Sequence, residues 1–184
     1  MGRTNKMKRL NRDEYFMQIA NTTSVRSTCE RAHVGAVAVQ DNRIIATGYN
    51  GAPSMSDHCD KTGHNLVDNH CIATIHAEMN LICQAAKTNV SLNHAIIYTT
   101  HQPCFECVKH LKNVGIKEII FEEMKIDKKL DHTNNFGIPL YIFEAGKRNR
   151  LTKNEWLGVK MKTKMPEGMW KQEYKAEFKE VKKK

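Results

Sequence analysis

The sequence predicts an α/β fold, a mixed β-sheet covered by helices, in a single domain. Three observations predict it. Helical and extended patterns alternate along the chain as helix, hairpin, helix, strand, helix, strand, helix, strand, an order that gives a mixed sheet under helical layers. The length of 184 residues suits one core rather than two. Apolar residues at 40% and charged residues at 27% fit a folded globular chain and exclude a disordered one. No apolar run approaches the roughly 18 residues of a membrane span. The N-terminus leads into no hydrophobic segment, so a cytoplasmic protein without an export signal is expected.

Residues 13–28 carry Tyr15, Phe16, Ile19 and Ala20 at helical spacing and predict a first amphipathic helix. Val34–Val39 is a short β-branched run, Asp41-Asn42 a turn and Arg43–Gly48 the returning strand, together a hairpin. Residues 50–71, with Gly51, Pro53 and Gly63 among many polar groups, read as a long irregular loop of the kind that serves a function or needs a staple. Ile72–Lys87 predicts a helix and Ala95–Thr100 a buried strand. Residues 104–113 predict a cysteine-bearing helix stopped by Gly115, and Lys117–Glu123 a further strand. Residues 125–136 read as a short helix or loop, and Pro139–Phe143 as the last strand.

The net charge of +9 is unevenly placed. Residues 1–12 hold 5 basic and no acidic groups, and residues 147–184 hold 13 basic and 5 acidic. The stretch between them holds 11 basic and 15 acidic groups, net −4. The expected organisation is a basic N-terminal arm (1–12), a domain (13–146) and a basic C-terminal extension (147–184). A slightly acidic body argues against nucleic acid as the partner of the main cleft, and the basic ends read as solvated termini.

Six cysteines without an export signal favour reduced thiols or metal ligands over disulfides. Two segments carry the chemistry: His76-Ala77-Glu78 in a predicted helix, and Pro103-Cys104-Phe105-Glu106-Cys107 at a strand-to-helix junction. Either alone is ambiguous. In this order they form the His-x-Glu…Pro-Cys-x-x-Cys signature of zinc nucleobase deaminases. One imidazole and two thiolates make a three-ligand site with a fourth position open to water. Cys104 and Cys107 share one side of a helical turn, at the helix end that favours thiolate. Pro103 suits a helix start, where no donor is needed. Zinc would bring the pKa of its water toward about 7. Glu78 is not needed as a ligand and fits a proton shuttle. A closed zinc knuckle or a redox dithiol would leave Glu78 unexplained, and a dithiol has no need of His76.

Further motifs accompany this pair: Ser27-Thr28-Cys29-Glu30-Arg31 with Val34-Gly35-Ala36-Val37, Thr47-Gly48-Tyr49-Asn50-Gly51-Ala52-Pro53, His58-Cys59, Asn69-His70-Cys71 and Thr74–Asn80. With them the sequence resembles the deoxycytidylate (dCMP) deaminases of the cytidine deaminase-like fold, late-competence-operon and phage-type members above all, from about Tyr15 to Phe143. The resemblance implies a three-layer helix/mixed-sheet/helix fold and zinc-dependent hydrolysis of dCMP to dUMP and ammonia in pyrimidine deoxynucleotide metabolism. It implies His76, Cys104 and Cys107 as zinc ligands and Glu78 as the catalytic acid and base. Asn50 would contact the deoxyribose, and the Ala77 backbone the pyrimidine. From the residues alone, Asn50 beside Gly51 reads equally as a turn residue. Family members are often homohexamers activated by dCTP and inhibited by dTTP. Gly48, Tyr49, Asn50 and Gly51 would then form the effector loop, with Mg2+ accompanying a triphosphate.

The resemblance also implies a second, structural zinc at Cys29, Cys59 and Cys71. Gly63-His64 stands where close relatives have Gly-Cys, which makes His64 the fourth ligand and His70 its rival. Buried free cysteines are the competing reading. Cys83 reads as core. His94, His101, His110 and His132 lack ligand spacing, although His101 is near enough to Cys104 to line the cleft. Arg26 and Arg31 are the nearby basic candidates for the substrate phosphate. Trp156, Leu157, Trp170 and Tyr174 read as a solvated or oligomer-contacting tail. Two rival functions stay open at this point. One is a deaminase of cytidine, dCTP or tRNA adenosine. The other is a non-catalytic nucleic-acid-binding or DNA-uptake protein with structural zinc.

Overall fold

The computed structural model describes residues 9–67, 70–124 and 136–151. The expectations for residues 125–135, His132 among them, and for Trp156, Leu157, Trp170 and Tyr174 lie outside the described residues.

Helix α1 (Arg12–Ser24) starts on a capping box: Asn11 Oδ1 accepts the Glu14 N–H at 2.9 Å, and the Glu14 carboxylate accepts the Asn11 N–H at 2.7 Å. It stops four residues short of the expected end. Strands β1 (Gly35–Gln40) and β2 (Arg43–Tyr49) are joined by Asp41 and Asn42 at φ 50° and 61°, the left-handed pair that a two-residue hairpin turn needs. The stretch expected to be an irregular loop contains a one-turn helix α2 (Cys59–Thr62) and a small hairpin of β3 (Leu66–Val67) and β4 (His70–Cys71). Helix α3 (Ala77–Lys87), strand β5 (Ile96–His101), helix α4 (Phe105–Asn113) and strand β6 (Glu118–Glu123) follow. The chain then forms β7 (Leu140–Glu144) and β8 (Lys147–Arg150). Gly115, at φ 80°, closes α4 as expected, its N–H bonded to the Lys112 carbonyl at 3.0 Å.

The main sheet runs β2-β1-β5-β6-β7-β8. Strands β5, β6 and β7 are parallel to one another, and the remaining pairs are antiparallel, so the sheet is mixed. Alternation along β1 feeds two cores. Val37 and Val39 pack with Tyr98 and Ile120 under Phe16, Met17 and Ala20 of α1. Ala36 and Ala38 pack with Ile97, Ile119 and Phe121 under Leu81, Ala85, Val108 and Leu111 of α3 and α4. The result is the expected helix/sheet/helix sandwich. Among the described residues, no helix is long and apolar enough to cross a membrane.

Two departures from expectation matter. Strand β8 pairs with β7 in register, so the sheet runs past the boundary expected at residue 146, and Arg12 belongs to α1 rather than to an arm. The strand was hidden because Lys147–Arg150 is polar throughout, as suits a charged edge strand, and offers no apolar alternation. Helix α3 begins at Ala77 and not at Ile72. Gly51 and Ile75 exchange two backbone hydrogen bonds, of 3.1 and 2.9 Å, which holds the residues before His76 extended.

Gly48 lets β2 lie directly on the start of α3. A Cβ there would run into the Ala77 carbonyl oxygen and sit 2.9 Å from Leu81 Cα. These are backbone atoms of a buried helix and cannot swing aside. Gly48→Ala should therefore cost about 2–3 kcal/mol in chemical denaturation and lower metal retention, because His76 is the N-cap of the helix it displaces.

Candidate active site

The two segments singled out by their spacing meet at two helix starts. His76 is the N-cap of α3 and Cys104 the N-cap of α4, both with extended backbone, and neither side chain caps its own helix. Instead they turn toward each other. His76 Nδ1 lies 3.5 Å from Cys104 Sγ and 3.4 Å from Cys107 Sγ. Tetrahedral zinc bonds of about 2.0 Å to nitrogen and 2.3 Å to sulfur place such atoms about 3.5–3.6 Å apart, so the donor set fits this ion. Two positive helix ends face the cluster and favour thiolate. With Cys104 as N-cap, Pro103 lies one residue before the helix rather than at its first position, so its use is to hold that approach extended.

The two sulfurs share their protons unequally. Hydrogen bonds from Cys107 and His76 hold Cys104 down to about 3. Cys107 is pushed far up, by the neighbouring Cys104 sulfur first and then by burial and the Glu78 carboxylate. The pair thus favours one thiolate beside one thiol, and a divalent cation held by both sulfurs would displace the remaining proton.

Glu78 lies in the first turn of α3, 3% exposed, close enough to Cys107 for a hydrogen bond. Burial raises its pKa, against the lowering effect of its own N–H and of His76. A buried carboxyl moved toward neutrality suits a group that takes and returns a proton near pH 7.

Asn50 is also buried, and its amide is engaged at both ends. Oδ1 accepts the Val34 N–H at 2.8 Å and Nδ2 donates to the Ala32 carbonyl at 2.8 Å. It clamps the 32–34 segment, which leaves one lone pair and one N–H for any ligand. Asn50→Ala should cost about 2–3 kcal/mol in denaturant unfolding, since it strands a buried donor and acceptor. Gly48 and Tyr49 belong to β2, and Gly51 is bridged to Ile75, so the expected effector segment is a stitched strand end rather than a free loop. Ala77 is fully buried at the first helical position, where its N–H has no partner within the helix.

A second cluster joins α2, the small hairpin and the loop between them. One donor atom from each of Cys59, His64 and Cys71 lies within 4.8 Å of the others. Their sulfurs are 3.7 Å apart, close to the spacing on a shared tetrahedral zinc, and His64 Nδ1 is buried without a hydrogen bond. The Thr74 hydroxyl and then the neighbouring His64 ring bring Cys71 down to about 6, while Cys59, despite the same Thr74 hydroxyl, is raised by burial and by Cys71. Cys29 is buried and acts on Cys59 electrostatically, but is not one of the three mutually close donors. The side chain of His70 lies outside the described residues.

Of the remaining candidates, Cys83 is exposed and so is not core. Arg26 and Arg31 are exposed on the turn after α1. His101 is fastened at the end of β5, with Nε2 3.1 Å from Glu123 and Nδ1 2.9 Å from the Thr100 hydroxyl. Three residues of the quoted motifs turn out to be supports, a role the sequence did not assign them. Thr74 bridges both cysteines of the second cluster, Asn80 ties α3 to the Tyr49 carbonyl at 2.7 Å, and the Thr28 hydroxyl accepts the Ala52 N–H at 3.3 Å. Asn80 and Thr28 bond backbone groups 31 and 24 residues away, and such partners leave no spacing signature.

Residues 10–123, well over half of the chain, match the cytidine and deoxycytidylate deaminase zinc-binding region. The chain belongs to that family. Relatives agree in kind. ComE operon protein 2 of Bacillus subtilis is 44% identical over 117 residues, which cover 64% of this chain and 62% of that protein. The chain therefore spans somewhat less than two thirds of that relative. The deoxycytidylate deaminase of Mycobacterium phage D29 is 35% identical over 127 residues, covering 62% of this chain and 97% of that one. Among solved structures, the dCMP deaminase of cyanophage S-TIM5 in complex with dCMP and dUMP aligns with TM-score 0.65 and 28% identity, over 74% of this chain and all of that one. The family, the fold and the paired motifs are thus mutually consistent.

Proposed function

We propose that this deaminase-family chain hydrolyses dCMP to dUMP and ammonia, in the cytoplasm, at a site formed by His76, Cys104, Cys107 and Glu78. The observation that carries the reading is the geometry of two helix starts that set one imidazole nitrogen 3.4–3.5 Å from two sulfurs, with a buried carboxyl beside them. His76, Cys104 and Cys107 would hold zinc, whose contribution when bound is to make a water acidic enough to attack at neutral pH. Glu78 accepts a proton from the attacking water and delivers it to N3 of the cytosine ring. The second water proton leaves with the exocyclic amine, which departs as ammonia. The Ala77 N–H, at the positive end of α3, would help hold the pyrimidine. Asn50 fixes the 32–34 backbone, and its remaining donor and acceptor match a sugar hydroxyl.

The choice of dCMP rests on the phage deoxycytidylate deaminase among the relatives and on the dCMP-bound structural neighbour. Comparing kcat/KM for dCMP, dCTP, deoxycytidine and cytidine tests it. The reading predicts a clear preference for dCMP; equal or better turnover of deoxycytidine would overturn the substrate assignment.

Regulation by dCTP and dTTP, with Mg2+, belongs to the same reading, as does homohexameric assembly. Its support in this chain is mechanical. Any ligand pulling on Gly48–Gly51 acts through the Gly51–Ile75 bridge on the residue directly before His76.

A second zinc at Cys59, His64 and Cys71 is proposed as the staple of the 52–75 segment. The protein should then bind two zinc ions per chain. Cys71→Ser should bind one, keep dCMP turnover and unfold roughly 5–10 °C lower. One zinc in both proteins, with equal unfolding temperatures, would remove the staple.

A further inference from the structure

A groove of about 970 Å³ lies away from both cysteine clusters, within the size range of small-molecule sites. It is bounded by the N-terminus of α1, by Gln40, Ile96 and Lys117, and by the β7–β8 turn. In the sheet register, Val39 pairs with Ile96 and Ile96 with Glu118. These are the strand ends opposite His101 and Glu123, which lead to the metal ligands. Its floor includes Phe16, Val39 and Tyr98, none more than 4% exposed.

The charge on its rim is selective. The two ends of the described chain meet here, with Asn11 Nδ2 donating to the Gly146 carbonyl at 2.9 Å across 135 residues. Arg12 and Lys147, from the two basic ends of the sequence, thus stand on one rim. Of the cations on the rim, Arg148 is neutralised, 2.7 Å from Glu118 and 3.4 Å from Asp13. Asp13 also accepts the Tyr98 hydroxyl at 2.8 Å. Arg12, Lys117 and Lys147 have no acidic partner among the described residues, and the remaining acid on the rim is Asp41. Three unpaired cations against one carboxylate, over an apolar floor, attract a multiply charged anion far more than a single carboxylate.

We propose that this groove binds the phosphate groups of a small polyanion, at a site separate from the deaminase centre. Arg12, Lys117 and Lys147 would be its direct contacts.

Inorganic tripolyphosphate, titrated calorimetrically into the zinc-loaded full chain at low salt, tests this. Binding is expected, weakening as salt rises. The exposed triple variant Arg12→Glu, Lys117→Glu, Lys147→Glu should weaken it at least about tenfold with dCMP turnover unchanged. Lys117→Glu alone, should the triple variant fold poorly, should give a smaller loss in the same direction. Reversal of Lys182, Lys183 and Lys184 to Glu should leave binding intact. No binding by the wild type at millimolar tripolyphosphate, undiminished binding by the groove variants, or loss on reversing the terminal lysines would each overturn the proposal.

Discussion

Glu78→Gln should reduce dCMP turnover by roughly 10²–10⁴-fold while zinc content stays at the wild-type level. Glutamine keeps the volume and most of the hydrogen-bonding shape of a side chain that is 3% exposed. The metal donors are untouched, because the cluster closes through His76, Cys104 and Cys107 alone. What is lost is the ability to take a proton from water and return it to the ring. Since burial is what raises the carboxyl, its replacement by a neutral amide should not lower the unfolding temperature. Paired metal analysis and steady-state kinetics check the prediction. Undiminished turnover would favour a zinc that is structural and a function carried elsewhere.

Cys107→Ser should be the more destructive change. Cys107 is 1% exposed, and its sulfur lies 3.4 Å from His76 Nδ1. A serine hydroxyl is a poor zinc ligand, so the chain should lose one equivalent of zinc. It should lose at least about 4 kcal/mol of transition-state stabilisation with it, roughly a thousandfold in rate. Unlike Glu78→Gln, it should also lower the unfolding temperature, because the ion that would tie the starts of α3 and α4 together is lost. Elemental analysis and thermal unfolding separate the two variants. Full zinc and full activity in Cys107→Ser would remove the metal assignment.

The contrast shows which parts of the molecule were legible in the sequence. The His-x-Glu and Cys-x-x-Cys spacings announced the cluster because each segment is local and helical. Its closure required only that two helix starts face each other, which the family fold supplies. The β1–β2 hairpin was legible for the same reason, since Asp41-Asn42 sits between two apolar strands. Other features depend on partners distant along the chain. The bridge to Gly51 delays α3 to Ala77, and nothing in the helix-forming run Ile72–His76 announces it. Strand β8 is recognisable only through its pairing with β7, because its four residues are all exposed and polar. Asn50 shows the limit in the other direction. Its position in the motif suggested a sugar contact, and the structure shows the amide already holding Ala32 and Val34.

The most direct measurement is the product balance of the zinc-loaded protein given dCMP. Catalysis at His76, Cys104, Cys107 and Glu78 predicts dUMP and ammonia in equal amounts over many turnovers, stopped by chelation and restored by zinc. A protein that holds zinc and binds dCMP but releases neither product would contradict the account at its centre.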